Sequence, residues 1–267
     1  MDTDPRSPVC LAPHFQFLEI DSNRGQIRLL EIAPGRGVEP IRCSYQIATA
    51  DDETPYQTLS YVWGKMDGKK SIVVDSTEVE LTDNLFDALM RIRHETEPRY
   101  LWVDALCINQ EDGVEKTAQV NMMHKIYSSC VQCNMWMGNI NVASLDTTES
   151  EALGAAKGAL DAVQMIAGQE FESHPPLHLN GRDEQAKAGK ALEALMLTPW
   201  WSRIWTVQEA TSPRNATILW GPLSIPWSTM CKAAEKLISG DYPPKERTAS
   251  ALEDAMALSI SRLDGSA

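Results

Sequence analysis

The sequence lacks several features that would assign it quickly to a functional class. It contains no GxGxxG, GxxxxGK[ST], HExxH or GxSxG motif, which argues against standard dinucleotide-binding folds, P-loop enzymes, zincins and α/β-hydrolases. No apolar stretch approaches the length of about 18 residues that a membrane span needs. The N-terminus also lacks a positively charged start followed by an apolar run, so we expect a soluble, cytoplasmic protein.

Basic residues are outnumbered, since 24 lysines and arginines face 37 acidic side chains and leave a net charge of −13. Such a chain repels phosphate backbones and anionic lipid surfaces. We therefore expect neither nucleic acid nor a membrane span. At 267 residues the chain is long enough for one large α/β domain, or for one domain with an appendage.

Cysteines are few and irregularly spaced, at positions 10, 43, 107, 130, 133 and 231. Without a secretion signal this usage predicts reduced thiols. Cys130 and Cys133 form a lone CxxC with no second ligand pair, so buried strand thiols are favoured over a zinc or redox site. We expect no metal site.

The first 50 residues predict an antiparallel β extension. Residues 15–32 contain two alternating apolar runs joined by DSNRG, which is typical of a hairpin, and another strand-like run follows at residues 41–48.

From residue 56 onward, short apolar strands alternate with amphipathic helices, which is the pattern of a parallel sheet with crossover helices. The predicted strands are YQTLSYVWG, RYLWVDALCI, VQCNMWMG and ATILWG, with an inserted hairpin at KSIVVDSTEVELT. The predicted helices are TDNLFDALMRIRH, VEKTAQVNMMHKIYSSC and TPWWSRIWTVQEA, followed by two more near 227–239 and 248–262.

These patterns predict one main domain over residues 1–221 and a C-terminal helical extension over 222–267. Within the main domain we expect a β extension at 15–50, a core at 56–221 and a helical insertion at 139–198.

Candidate binding residues are those at the carboxyl ends of the predicted strands, where open parallel sheets bind ligands. They are Ser60, Tyr61, Trp63 and Gly64 after the first strand, Asp104 after the second, and Arg203, Trp205 and Glu209 on the helix before the fourth.

Several of these residues have a second interpretation. Asp104 either faces a ligand or caps the next turn, and Arg203 either holds an anion or pairs with a neighbouring acid. Core packing is the default for Trp63, as for the other tryptophans in apolar strands. Cys107 and His124 are residue types that could form a catalytic nucleophile and base, but no local sequence signal indicates that they lie close together.

Glu209 is the residue on which the functional interpretation depends. On a continuous helix its carboxylate shares a face with Trp205, and with Trp201 one turn earlier. A carboxylate partly desolvated beside tryptophan exerts a stronger field on a nearby positive charge than it would in water. Such a site suits a reaction that develops cationic character on a sugar ring.

Four segments in order resemble the motifs of the fungal heterokaryon incompatibility (HET) domain. They are YQTLSYVWG, LWVDALCINQED with the downstream EKTAQVNMMHKIYSSC, NMWMG, and PWWSRIWTVQEA, and the resemblance covers roughly residues 27–221. The HET domain is in turn similar to the TIR domain, which implies a flavodoxin-like parallel sheet flanked by helices. The insertion at 139–198 and the early hairpin depart from a plain TIR pattern.

TIR enzymes carry a glutamate four residues beyond a tryptophan, so the resemblance implies that Glu209 holds the position that cleaves NAD. It implies NAD as substrate, no permanently bound cofactor and no metal. Glu209 would stabilise an oxocarbenium-like transition state, and Trp63 or Trp205 would stack on a flat ring. Further contacts would come from Tyr61, Asp104 and Arg203.

The same resemblance implies a role in allorecognition and programmed death of fused fungal cells. It implies a closed resting state, released by a partner protein or by self-assembly into an oligomer. One rival is a non-enzymatic signalling adaptor, in which Arg203, Trp205 and Glu209 form a buried structural network. Another is a nucleotide sensor that binds without turnover.

Overall fold

The structure is a computed structural model that describes residues 9–12, 15–50, 54–65, 70–168, 181–203 and 206–239. The chain divides into two compact units, Met1–Gly138 with Ile204–Thr217 and Asn139–Arg203 with Ile218–Ala267. The segment that carries Glu209 therefore belongs to the first unit, although it follows the insertion in sequence. None of the described helices is both long and apolar enough to cross a membrane.

A mixed β-sheet forms the centre of the first unit. Its strands are β1 (Val9–Leu11), β2 (Gln26–Ile32), β3 (Arg42–Thr49), β4 (Gln57–Ser60), β5 (Lys70–Val74), β6 (Thr77–Leu81), β7 (Arg99–Trp102) and β8 (Gln132–Trp136). Their spatial order is β1-β6-β5-β3-β2-β7-β4-β8. The α/β class predicted from the sequence is confirmed.

At the end of this order that contains β4, three neighbouring strands are parallel, and farther along the order β3 and β5 also pair in parallel. β4 lies between β7 and β8 and is parallel to both. At β7 the direction changes, because β2 joins it antiparallel and continues into the β extension through β3. The sheet is therefore mixed, with the antiparallel extension built onto the parallel strands.

The hairpin predicted at residues 15–32 is wrong in its first half, because residues 15–20 form no strand. β2 pairs instead with β3 along its whole length, and with β7 at Leu30–Ile32. Because β3 and β7 occupy the two edges of β2, the apolar run at residues 15–20 is not paired with it. Phe15 and Phe17 pack against Tyr45 of β3, with ring centroids 6.3 and 6.1 Å away.

The hairpin predicted between residues 70 and 82 is confirmed as β5 and β6. Its two-residue turn is Asp75-Ser76, and both residues have positive φ, 44° and 70°. Two positive φ angles define the type I′ turn, whose twist matches that of the flanking strands.

Three helices accompany these strands: α1 (Asp83–Ile92), α2 (Asp104–Cys107) and α3 (Gly113–Ser129). Thr82 caps α1 by accepting a hydrogen bond from the Leu85 amide at 3.3 Å. The predicted apolar face of α1 is confirmed, since all four of its members are buried: Leu85, Ala88, Leu89 and Ile92.

The second predicted core strand is shorter than expected. It ends at Trp102, and Asp104 opens α2 two residues later. In α3 the predicted Met123, Ile126 and Tyr127 are buried, whereas Val120 is only partly so. The neighbouring Gln119 is buried, and the side-chain amide of Gln119 donates a hydrogen bond to the Gln26 carbonyl of β2 at 2.8 Å.

The second unit is mainly helical in its described part. It contains α4 (Val142–Leu145), α5 (Glu149–Ile166), α6 (Arg182–Met196), a 3₁₀ turn (Pro199–Ser202), β10 (Leu223–Pro226) and α8 (Trp227–Ser239). α5 and α6 pack together, and both bury alanines, which allow close approach. β9 (Ala216–Trp220) crosses the boundary between units, and the helix predicted near 248–262 lies outside the described residues.

The segment PWWSRIWTVQEA is not one helix, as the sequence predicted. The 3₁₀ turn ends at Ser202. The next residue, Arg203, has an extended backbone with φ of −86° and ψ of 131°, and helix α7 (Thr206–Thr211) begins after it. The extended residue interrupts the helical repeat, so Trp201 does not share a helix with Glu209. Trp201 packs against Trp200 and Trp227 of the second unit instead.

Candidate functional site

Ser60 and Glu209 meet at the carboxyl end of β4. Ser60 is the last residue of that strand, next to Met135 of β8, and is 1 % exposed. Glu209 lies on α7 and is 3 % exposed. The Ser60 hydroxyl donates a hydrogen bond to Oε2 of Glu209. The structure thus joins two candidate site residues that are 149 positions apart in sequence.

The backbone of Glu209 is also fastened to the sheet. The Cys133 thiol on β8 donates to the Glu209 carbonyl at 3.5 Å, and α7 packs against β8 and α3. Burial raises the pKa of the Cys133 thiol, and the charges of Cys130 and Glu209 raise it further. Cys133 therefore remains a neutral thiol that can donate this bond.

Trp63 and Asp104 are joined beyond the ends of β4 and β7. The Trp63 indole N–H donates to Oδ2 of Asp104 at 2.8 Å, and the Ala105 amide donates to Oδ1 at 2.7 Å. Asp104 therefore supports the start of α2 and holds an indole at the same time. Trp63 is partly exposed, whereas the core packing expected for strand tryptophans holds for the fully buried Trp102.

Asn84, on the first turn of α1, is a site residue that the sequence analysis missed. Its amide nitrogen donates to the Val62 carbonyl at 2.7 Å, and its amide oxygen accepts from the Trp136 indole at 2.8 Å. Asn84 therefore links the segment after β4 to the end of β8. The only available signal was a polar residue beside a helix cap.

The remaining candidate residues are Tyr61, Gly64, Arg203 and Trp205. Tyr61 is buried, at 2 % exposure. Gly64 has a φ of 77°, in the left-handed region that favours glycine. Arg203 belongs to the second unit and Trp205 lies outside the described residues, so their roles at this site stay predictions.

Comparison with known proteins identifies the family. Residues 56–209, more than half of the chain, match the family described as heterokaryon incompatibility protein (HET). The chain belongs to the heterokaryon incompatibility (HET) family. It is 34% identical over 159 residues to heterokaryon incompatibility protein 6, OR allele, of Neurospora crassa. That match covers 54% of this chain but 22% of the relative, and no solved structure matches the chain.

A second carboxylate, the partly buried Glu115, stabilises one segment of the HET domain. Both its oxygens accept from the Arg28 guanidinium, at 2.5 and 2.8 Å, and one also accepts from the Asn109 amide at 2.7 Å. Arg28, which is 1 % exposed, further donates to the Cys107 carbonyl at 3.1 Å. Arg28 of β2 thus holds the backbone of the LCINQED segment at Cys107 directly and at Asn109 through Glu115.

All six cysteines are free thiols, and four of them are buried. The strand-thiol interpretation is confirmed for Cys133 on β8, whereas the buried Cys130 lies at the end of α3. Cys107 is fully buried, and desolvation raises its pKa to about 12. His124 contacts the Ser212 hydroxyl at 3.0 Å, so the structure gives Cys107 and His124 separate partners. Within the described ranges, no group of three or more His, Cys, Asp or Glu side chains is placed to hold a metal ion.

Proposed function

We propose that this HET domain is a cytoplasmic cell-death effector of allorecognition or immunity that cleaves the bond between nicotinamide and ribose in NAD. The observation that carries the proposal is the Glu209 carboxylate, buried beside the carboxyl ends of β4 and β8 and bonded to a hydroxyl. The Ser60 hydroxyl donates to Glu209 as a ribose hydroxyl of the substrate would.

The topology around Glu209 supports a ligand site. Taken in chain order, the three parallel strands β4, β7 and β8 have the spatial order second-first-third. Flavodoxin-like sheets begin with this order, and they bind ligands at the switch point between the first and third strands. Ser60 ends the first of these strands and neighbours Met135 on the third, so Glu209 lies beside the corresponding point.

The reaction needs no metal and balances with water alone. The bond between C1′ of ribose and the nicotinamide nitrogen breaks, and its electron pair leaves with nicotinamide, which becomes neutral. Glu209 stabilises the cationic ribose with its charge and its hydrogen bonds to the ribose hydroxyls. The water oxygen then bonds to C1′ and loses a proton, which yields ADP-ribose; attack by an adenine nitrogen would yield a cyclic product.

Other residues would orient the nucleotide. The partly exposed Trp63 is fixed by Asp104 and offers a ring on which a base can stack. Tyr61, Arg203 and Trp205 would complete the contacts that the TIR resemblance implies. We propose that each of these three residues contacts the nucleotide.

A closed resting state fits this arrangement. Because Glu209 is almost fully buried and bonded to Ser60, substrate must displace that bond to reach the carboxylate. We infer that a partner protein, or assembly of several copies, opens the site. Depletion of a universal cofactor would then kill the cell without a specific protein target.

The burial of Glu209 also favours a second candidate, a non-enzymatic signalling adaptor. In that case the Ser60–Glu209 bond and the thiol bond from Cys133 only hold α7 on the sheet. The HET motifs would then build a surface for assembly with other proteins.

The test is release of free nicotinamide, followed by chromatography, from NAD and concentrated protein with and without a crowding agent. Glu209→Gln is compared with Glu193→Gln, an exposed glutamate on α6. Loss of transition-state stabilisation is expected to lower turnover by about 10²-fold or more in Glu209→Gln only. Release that survives Glu209→Gln would overturn the catalytic role of Glu209, whereas no release from assembled wild-type protein would favour the adaptor.

A further inference from the structure

Side-chain hydrogen bonds form a connected chain across the carboxyl ends of all three parallel strands. Trp136, which ends β8, donates to Asn84, and Asn84 donates to the Val62 carbonyl just beyond β4. The next residue, Trp63, donates to Asp104 just beyond β7. Asn84 is the central member, since it alone accepts from one strand end and donates to the other.

We propose that Asn84 is a positioning residue that fixes the indole of Trp63 for nucleotide binding, an inference that rests on the NAD cleavage proposed above. The Val62 carbonyl lies in the peptide plane that leads directly into Trp63. Since a peptide unit is planar and rigid, a hydrogen bond to this carbonyl sets the direction from which the Trp63 backbone emerges. The bond to Asp104 then fixes the ring at its other end.

The backbone around Asn84 is shaped to enclose it. Gly64 and Gly138 have φ angles of 77° and 94°, in the region that favours glycine. A β carbon at Gly64 would lie 3.6 Å from Cβ of Asn84, and one at Gly138 would lie 3.7 Å from its amide oxygen. Both segments thus pass close to the Asn84 side chain.

Two substitutions separate the function of Asn84 from its packing. Asn84→Asp is nearly isosteric and keeps an acceptor for Trp136, but it places a carboxylate oxygen against the Val62 carbonyl. Its added charge lies in the first turn of α1, where a helix favours a negative group. Asn84→Ala adds no charge but removes both the donor to Val62 and the acceptor for Trp136. Asn141→Asp, at the cap of α4, is the matched control because aspartate caps equally well.

The experiment measures steady-state nicotinamide release together with the ¹⁵N–¹H indole resonance of Trp63, assigned with Trp63→Phe. A lost hydrogen bond of ordinary strength predicts that KM for NAD rises roughly five- to tenfold in both Asn84 variants. We expect kcat to change less than twofold, since neither variant alters Glu209, and Asn141→Asp to match the wild type. A fall in kcat at unchanged KM, or no change in either constant, would overturn the positioning role.

The indole resonance keeps failure of this inference distinct from failure of the proposed reaction. If wild-type protein releases no nicotinamide, the enzyme proposal is overturned. The Trp63 resonance alone then tests whether Asn84 fixes the indole. A Trp63 resonance that shifts in Asn84→Asp but not in Asn141→Asp supports the hold of Asn84 on Trp63. A Trp63 resonance that shifts in neither Asn84→Asp nor Asn84→Ala overturns the positioning role of Asn84.

Discussion

Two glutamates of the first unit, the partly buried Glu115 and the buried Glu209, accept hydrogen bonds from different kinds of group. Glu115 receives a guanidinium on both oxygens and a backbone amide, so its charge is compensated by the fold. The hydrogen bond that Glu209 receives from Ser60 comes from a neutral hydroxyl, which can rotate. The guanidinium occupies both oxygens of Glu115, whereas the hydroxyl on Oε2 of Glu209 can exchange with a substrate hydroxyl.

The largest expected effect comes from removing the cation that holds Glu115. Arg28→Ala leaves the mostly desolvated Glu115 carboxylate, 11% exposed, without its guanidinium partner, which costs about 3–5 kcal/mol in unfolding free energy. Urea denaturation measures this loss, with Arg36→Ala as control because the Arg36–Glu95 pair is exposed on both sides. A loss no larger than that of Arg36→Ala would show that the buried pair does not stabilise the fold.

The direct comparison is Glu115→Gln against Glu209→Gln. Glutamine at 115 carries no charge for Arg28 and presents an amide N–H₂ to a site built only of donors, so we expect a loss of about 2–3 kcal/mol. Glutamine at 209 keeps an oxygen that accepts from Ser60, so this bond survives and the loss should be smaller than at 115. Equal losses in denaturation would make Glu209 as structural as Glu115 and favour the adaptor.

Ser60→Ala tests the hydroxyl side of the comparison and should act more weakly than Arg28→Ala. It removes a donor from a buried acceptor, which costs about 1–2 kcal/mol. If the bond is part of a closed state, the same variant should expose Glu209. Carbodiimide labelling of that carboxylate, read by mass spectrometry, should therefore increase over wild type while labelling of exposed Glu193 stays constant.

The sequence predicted elements whose signals are local. The apolar spacing of α1 and the turn between β5 and β6 depend on residues within one helix or one hairpin, and both are confirmed. The end of the first parallel strand also indicated Ser60. Glu209 was indicated by its predicted helix and by its spacing from Trp205. Their mutual hydrogen bond is consistent with that reasoning.

Features that depend on partners distant in sequence could not be predicted. Arg28 and Glu115 are 87 residues apart, and Asn84 bonds a tryptophan 52 residues away, so no periodicity reveals either contact. The pairing of β2 with both β3 and β7 is likewise decided by the whole sheet, which is why the run at 15–20 was misassigned. The extended Arg203 interrupts a segment whose spacing alone favoured one helix.

An exposed glutamate completes the comparison and should have the smallest effect. Glu151 on α5 accepts from Thr147 and Thr148, and these hydrogen bonds lower its pKa from 4.5 to about 2. Because the pKa is lower in the folded state, its stabilising effect is present above about pH 4.5 and is lost as the pH falls through 2. Glu151→Gln should therefore lower the melting temperature slightly at pH 7, by less than Ser60→Ala does. The difference from wild type should shrink steadily towards pH 2; a difference that stays constant with pH would mean that the charge of Glu151 contributes nothing and the capping geometry alone supports α5.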